Sequence, residues 1–195
     1  MGDEKASRVQ ISIARAIIYR VLARCFSYPD KELLELFGSA KVEEFFQSWR
    51  LLGLNDEPIS PVTSWLAGFN NHEAALLELE KEYVRLFAKP YPETLVQPYG
   101  SVYLNSERLI WGRSTTEVAR LYEAAGLGMN ENFHDVPDHI AAELEFGSYL
   151  IAEQIKSDER SLSASEQLTT LEKKLLTEHL HKWAPAFFSR VVECS

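Results

Sequence analysis

Apolar residues recur at three- and four-residue spacing along most of the chain, the period of a helix that buries one face. Ser7 can cap a first helix to about Phe26, with Ile11, Ala14, Ile18, Val21 and Cys25 on its apolar stripe. Pro29 ends it, and Asp30 is placed to cap a short helix over 31–37 that Gly38 terminates. Ser39 restarts a helix carrying Val42, Phe45, Phe46 and Trp49, which stops at Gly53. Ser60-Pro61 has the form of a cap followed by an N1 proline, opening a helix with Val62, Trp65, Leu66 and Phe69. From His72 to Ala88, Leu76, Leu79, Tyr83, Leu86 and Phe87 share one face, and Lys89-Pro90 closes the helix.

Three further helices obey the same logic. Ser114-Thr115-Thr116-Glu117 reads as a capping box ahead of Val118, Leu121 and Tyr122, with Gly126 as the stop. Pro137 and Asp138 open a helix with Ile140, Leu144, Gly147, Leu150 and Ile151 on its buried side, fading near Lys156. Ser163-x-x-Glu166 is another capping box, leading through Leu168, Leu171, Leu175 and Leu180 to Trp183-Ala184-Pro185, where the helix should kink or end. No alternating strand pattern of useful length is present, except short stretches at 102–104 and 109–111, and no fixed-period repeat is found. The expectation is an all-α fold, one globular bundle of about eight to ten helices over residues 1–195.

One stretch breaks the pattern. Residues 90–113 hold three prolines, two glycines and four aromatics without helical periodicity. Helix–helix connections usually take two to eight residues, so a loop this long is either functional or disordered. Its Tyr, Val, Leu, Ile and Trp content favours an ordered loop pinned by its aromatics. The polar, serine-rich stretch 157–165 reads instead as a mobile connection.

Composition narrows the function. A chain of 195 residues with 46% hydrophobic and 25% charged residues can bury one substantial core. The formal charge of −9 lacks the clustered basic face of a nucleic-acid binder. Arg15 and Arg20 interrupt the first apolar stretch, which argues against a signal peptide or stable membrane insertion and for a cytoplasmic protein. Two cysteines give neither a disulfide framework nor a four-ligand zinc site. Cys25 reads as a small buried hydrophobe and Cys194 as part of a mobile end.

Asp135, Asp138, His139 and Glu143 form the one tight cluster of titratable groups. His139 and Glu143 are i, i+4 neighbours, a spacing used by metal pairs, but one histidine with carboxylates at a helix start equally serves backbone capping. No nucleophile elbow, Cys–His pair or phosphate-binding glycine loop occurs, so no catalytic residue, metal ligand or cofactor is assigned. The loop aromatics Tyr99, Tyr103 and Trp111, with Tyr83, are either core or a surface for an apolar peptide that also carries arginines.

Four segments in order give a resemblance. Tyr83-x-x-Leu86-Phe87, Pro98-Tyr99-x-Ser101-Val102-Tyr103, Pro137-Asp138-His139-Ile140-x-x-Glu143-Leu144-Glu145-Phe146 and His179-Leu180-x-x-Trp183-x-Pro185-x-Phe187 together resemble the TorD/DmsD/NarJ family of chaperones for DMSO-reductase-type molybdoenzymes. The resemblance implies a non-enzymatic cytoplasmic chaperone. Such a protein binds the twin-arginine leader or the apo form of a molybdopterin-dependent reductase's catalytic subunit and holds it for cofactor insertion before export. Carried over by motif, the peptide-binding positions are Pro98, Tyr99, Ser101, Tyr103, Gly112, Asp138, His139 and Glu143. Glu82, Glu107, Glu143 and Glu145 are the acids that could meet the arginines. Tyr99 stands where DmsD-like members often have Trp, and Gly147 replaces a larger residue, opening space or permitting close helix packing.

Family members usually continue for one or two helices beyond the last signature. The resemblance therefore implies that Phe187, Phe188, Val191 and Val192 are left exposed, and a homodimer is expected to cover them. The alternatives are a NarJ-like chaperone for a subunit that is not exported, a small metal-dependent enzyme centred on His139 with Asp138 and Glu143, or a helical adaptor without a peptide groove.

Overall fold

The computed structural model describes residues 2–37, 40–54, 72–88, 94–105, 110–128, 136–157 and 162–195. The expected helix from Ser60-Pro61 lies outside them, as do Gly38, Ser39, Glu107 and Asp135. The described residues form helices, without named strands: α1 (Gly2–Cys25), α2 (Lys31–Phe37), α3 (Ala40–Leu51), α4 (His72–Tyr83), α5 (Gly100–Leu104), α6 (Arg113–Ala124), α7 (Ile140–Ser157), α8 (Leu162–Lys174) and α9 (His181–Cys194). The all-α expectation holds.

Several boundaries differ from the pattern reading, each for a local reason. α1 already runs from Gly2, with Ser7 inside it, since residues 3–8 contain no proline, glycine or β-branched residue to stop it. Its last turn turns Ala23 and Phe26 toward the core, so Cys25 ends on the outer side and is exposed; Ile11, at 41%, is exposed too. The stretch 102–104 is not strand-like but forms part of the helical turn α5. α6 starts a residue early, so Ser114 and Glu117 do not make the expected capping box. Instead the Gly112 N–H donates to Thr115 Oγ1 at 3.2 Å, and Glu117 pairs with Arg113. α7 includes Ser157 and α8 starts at Leu162, so both helices extend into the stretch read as a connection. Asp30 does cap α2: its Oδ1 accepts the Leu33 N–H at 2.9 Å, and the Arg24 guanidinium holds its carboxyl below the usual range.

Two π-helical segments extend these helices: Val84–Ala88 continues α4, and Leu175–Leu180 joins α8 directly to α9. Each spends more residues per turn than an α-helix and so shifts the register of the residues after it. Helical geometry continues through Pro185, which lies inside α9, rather than ending there. Cys194 is the last residue of α9, and its carbonyl accepts from Arg85 Nη2 at 2.6 Å.

Among the described residues α1 packs most extensively along α7, with Tyr19 against Gly147, where an added Cβ would lie 3.1 Å from the tyrosine ring. The missing side chain at 147 therefore serves close packing. The polar seam beside it joins three helices: Arg15 and Gln154 both donate to the buried Glu172 carboxylate. At the other end of the core, Phe187 is fully buried. Its ring centroid lies 5.3 Å from Phe26, 6.1 Å from Phe87 and 5.6 Å from Trp183. Phe188 and Val191 also pack on this core, and Val192 alone of the four is open, at 77%. The apolar surface on which the dimer expectation rested is thus largely buried within the chain itself.

Candidate functional site

Pro98 to Leu104 and Val136 to Glu143 meet edge to edge. The Ile140 N–H donates to the Pro98 carbonyl at 2.8 Å, and the Gly100 N–H donates to the Asp138 carbonyl at 2.9 Å. Tyr99 and His139 therefore form an isolated antiparallel bridge, and their rings stand edge to face at 5.2 Å. The loop's preceding residues are anchored as well: the Val96 N–H reaches the Leu86 carbonyl in the first π segment at 2.9 Å.

The polar residues of the cluster take up local roles. His139 caps α7, its Nδ1 accepting the Ala141 N–H at 3.1 Å. Asp138 is fully buried and caps the neighbouring turn, its Oδ2 accepting the Ser101 N–H at 2.5 Å. Tyr122 on α6 supports the same corner, its hydroxyl donating to the Pro137 carbonyl at 2.7 Å. Among the described residues no group of three or more His, Cys, Asp or Glu side chains is placed to hold a metal.

Below the turn lies a set of buried polar atoms without partners: Ser101 Oγ, Asp138 Oδ1, both Glu143 carboxyl oxygens, His179 Nδ1 and Trp183 Nε1, with Ser114 Oγ at the start of α6. Burial, reinforced by the neighbouring Asp138 charge, raises the Glu143 pKa well above the usual carboxylate range, toward its neutral form. The Trp183 indole N–H lies beside that carboxyl and opposes the shift, without closing a hydrogen bond of ordinary geometry. Burial pulls the His179 imidazole down, toward its neutral form. Gly100 makes the close approach: a Cβ there would lie 3.0 Å from Trp183 Nε1 and 3.4 Å from Glu143 Oε1. Tyr103 stacks on the Trp183 ring at 5.6 Å, and burial pushes its phenol up to about 12.

The sequence-derived positions thus divide. Pro98, Ser101, Asp138, His139 and Glu143 are buried, while Tyr99, Tyr103 and Gly112 are partly open. Of the acids that could meet the arginines, Glu143 is enclosed, as is Asp138, over which the loop closes its Gly100 and Ser101 backbone donors, and Glu82 is occupied by Arg85. Glu145 is exposed. Tyr83 packs against Tyr28 and Phe87. The open apolar surface is supplied by Ile110 and Trp111, 40% and 61% exposed, with Trp111 at φ 72°. That left-handed conformation is rare for a bulky residue and marks strain of about 1–3 kcal/mol. Gly112 beside it leaves room for the Asn105 amide, with which any side chain would collide. His179 and Trp183 enter the site from the C-terminal helices; the sequence marks them as part of the last resemblance segment but not as site residues.

The family described as nitrate reductase delta subunit matches residues 53–189. "Chaperone protein TorD" of Vibrio cholerae serotype O1 (El Tor Inaba N16961) is 30% identical over 190 residues, 92% of this chain and 80% of that protein. The TorD chaperone of Shewanella sp. ANA-3 is 28% identical over 194 residues, 96% of this chain and 84% of that one. A crystal structure of a protein assigned to redox enzyme maturation in Archaeoglobus fulgidus covers 82% of this chain and 93% of its own, at 22% identity and a TM-score of 0.45. The chain belongs to the nitrate reductase delta-subunit family, that of the TorD and NarJ chaperones. Its relatives are chaperones and not catalysts, which removes the metal-dependent enzyme as a reading of His139.

Proposed function

We propose that this chain is a cytoplasmic chaperone for the catalytic subunit of a molybdopterin-dependent reductase, and that it binds the subunit's twin-arginine leader before export. The observation that carries the reading is the junction of Pro98–Leu104 with Asp138–Glu143. A loop that is costly to order is tied by backbone hydrogen bonds to a helix start, and the partly open Tyr99 lies on it. Tyr99 gives a flat surface for an apolar stretch and, with Trp111, for an arginine stacked face-on. Glu145 and the protein's negative charge favour approach of a basic segment. No helix of the described residues is long and apolar enough to cross a membrane.

The test is calorimetric titration with the twin-arginine leader of a molybdopterin-dependent reductase from the same organism, against an Arg-Arg→Ala-Ala peptide. Leader binding that weakens with the control peptide and with Tyr99→Ala, while the variant keeps its helical signal, supports the reading. Binding of the mature apo-subunit without its leader replaces it with the NarJ-like function.

A further inference from the structure

The outer face of α4 carries an apolar stripe that the site at Tyr99 does not use. Leu77 is 50% exposed, and Val84, the first residue of the π segment that continues α4, is 40% exposed. Seven residues make about two helical turns, so both side chains leave the same face, with Glu80 and Lys81 between them. Tyr28 stands beside this face, 53% exposed, its ring edge to face with Tyr83 at 5.3 Å. Tyr28, Glu80, Lys81, Val84 and Arg85 line an open hollow of about 420 Å³. Single exposed apolar residues are ordinary, but a stripe of them beside a hollow marks an interaction surface.

The order of residues along the face decides what fits it. The midpoint of Leu77 and Val84 falls between Glu80 and Lys81. A two-fold axis through that point sets Leu77 of one copy against Val84 of the other, and Glu80 against Lys81, with each contact made twice. The exposed Leu77 is then the knob, and the hollow beside Val84 and Tyr28 is the hole. The charges agree with this register. In the single chain Lys81 meets Glu78 at 2.7 Å, in an exposed pair on its own helix that contributes little and is readily exchanged. A partner of one charge sign would match half of the row and repel the other half, whereas a second copy matches all of it.

We propose that this face is an isologous contact between two copies of the chain, α4 against α4 in antiparallel register. The inference is independent of the chaperone reading. It moves the expected homodimer away from α9, whose Phe187, Phe188 and Val191 pack on the chain's own core. A stable interface of standard size takes about 800 Å² from each partner. One helix face roughly 25 Å long and 10 Å wide presents less than that. The association is therefore reversible and grows with protein concentration.

Sedimentation velocity of the full chain, from low to high micromolar concentration, tests it, with circular dichroism to check that each variant keeps the native helical signal. The expected result is a monomer–dimer equilibrium that Leu77→Glu abolishes. Lys81→Glu sets acid against acid twice and should weaken the dimer by about tenfold or more. The charge-exchanged double variant Glu80→Lys/Lys81→Glu restores opposite charges across the axis and should recover the dimer. A chain that stays monomeric over the whole range overturns the proposal, as does a dimer that survives Leu77→Glu. Loss of the dimer in Lys81→Glu without recovery in the exchanged variant overturns the two-fold register on which it stands.

Discussion

Gly100→Ala is the substitution that the geometry constrains most tightly. The new methyl would lie 3.0 and 3.1 Å from Nε1 and Cε2 of Trp183, whose side chain is fully buried and stacked on Tyr103. Carbon contacts are comfortable at about 3.5–4.0 Å, so something must move by about 0.5 Å. The indole is enclosed on all sides, so the turn lifts instead. That motion stretches the Gly100 bond to the Asp138 carbonyl, now 2.9 Å, and the Ser101 bond to Asp138 Oδ2. Overpacking of this kind costs about 1–3 kcal/mol. Replacing glycine at a helical position returns about 0.5–1 kcal/mol. The net expectation is a loss of about 0–2.5 kcal/mol, centred near about 1 kcal/mol, which for a chain of this size lowers Tm by up to about 10 °C.

Urea unfolding at equilibrium measures the loss, and a double-mutant cycle with Trp183→Phe assigns its cause. If the indole is the obstacle, Gly100→Ala costs less than about 0.5 kcal/mol in the Trp183→Phe background, a coupling within the range known for residues in contact. An equal cost in both backgrounds, or no cost in the native chain, would refute the claim that Trp183 sets the position of the turn.

Three further outcomes come from the same contacts. Phe187→Ala removes the ring on which Phe26, Phe87, Tyr103 and Trp183 converge, and should destabilise the chain by about 3–5 kcal/mol in denaturant titration. Trp111→Gly relieves a left-handed backbone and should raise stability by up to about 1 kcal/mol, while weakening partner binding; a fall in both would contradict the strain argument. Glu143 has a folded pKa above its unfolded value, so its contribution is most favourable at low pH and is lost as pH rises from the ordinary carboxylate range toward the raised value. Melting curves across that window should therefore decline for the native chain and be flatter for Glu143→Gln; equal slopes would count against a buried neutral acid.

Legibility in the sequence tracks the range of the interactions. Helices with a clear 3.6 period and a local stop, such as 31–37 after Asp30 or 113–124 before Gly126, are visible because cap, stripe and terminator all lie within a few residues. The continuation through Pro185 is hidden because a proline inside a helix reads locally as a breaker, and only the packing of Trp183 and Phe187 on either side of it into the core holds the helix on. α5 passes for loop because five residues are too few to show a period. At the site, motif places Tyr99, Asp138 and His139 near one another, and the bridge joins them. Burial is not legible: Asp138 and Glu143, carried over as peptide-binding positions, are roofed by a turn whose position depends on Trp183, far along the chain. A pairing at that separation is fixed by tertiary packing alone.

If the surface around Tyr99 and Trp111 serves maturation of a molybdoenzyme, as proposed, the metal loading of the client depends on those two rings. The direct measurement is the molybdenum content of the client reductase purified from cells that lack this chain, complemented with the native chain or with Tyr99→Ala/Trp111→Ala. The native chain should restore the metal content, and the double variant, accumulating to the same level and equally helical, should not. Equal restoration by both, or none by the native chain, would contradict the proposal.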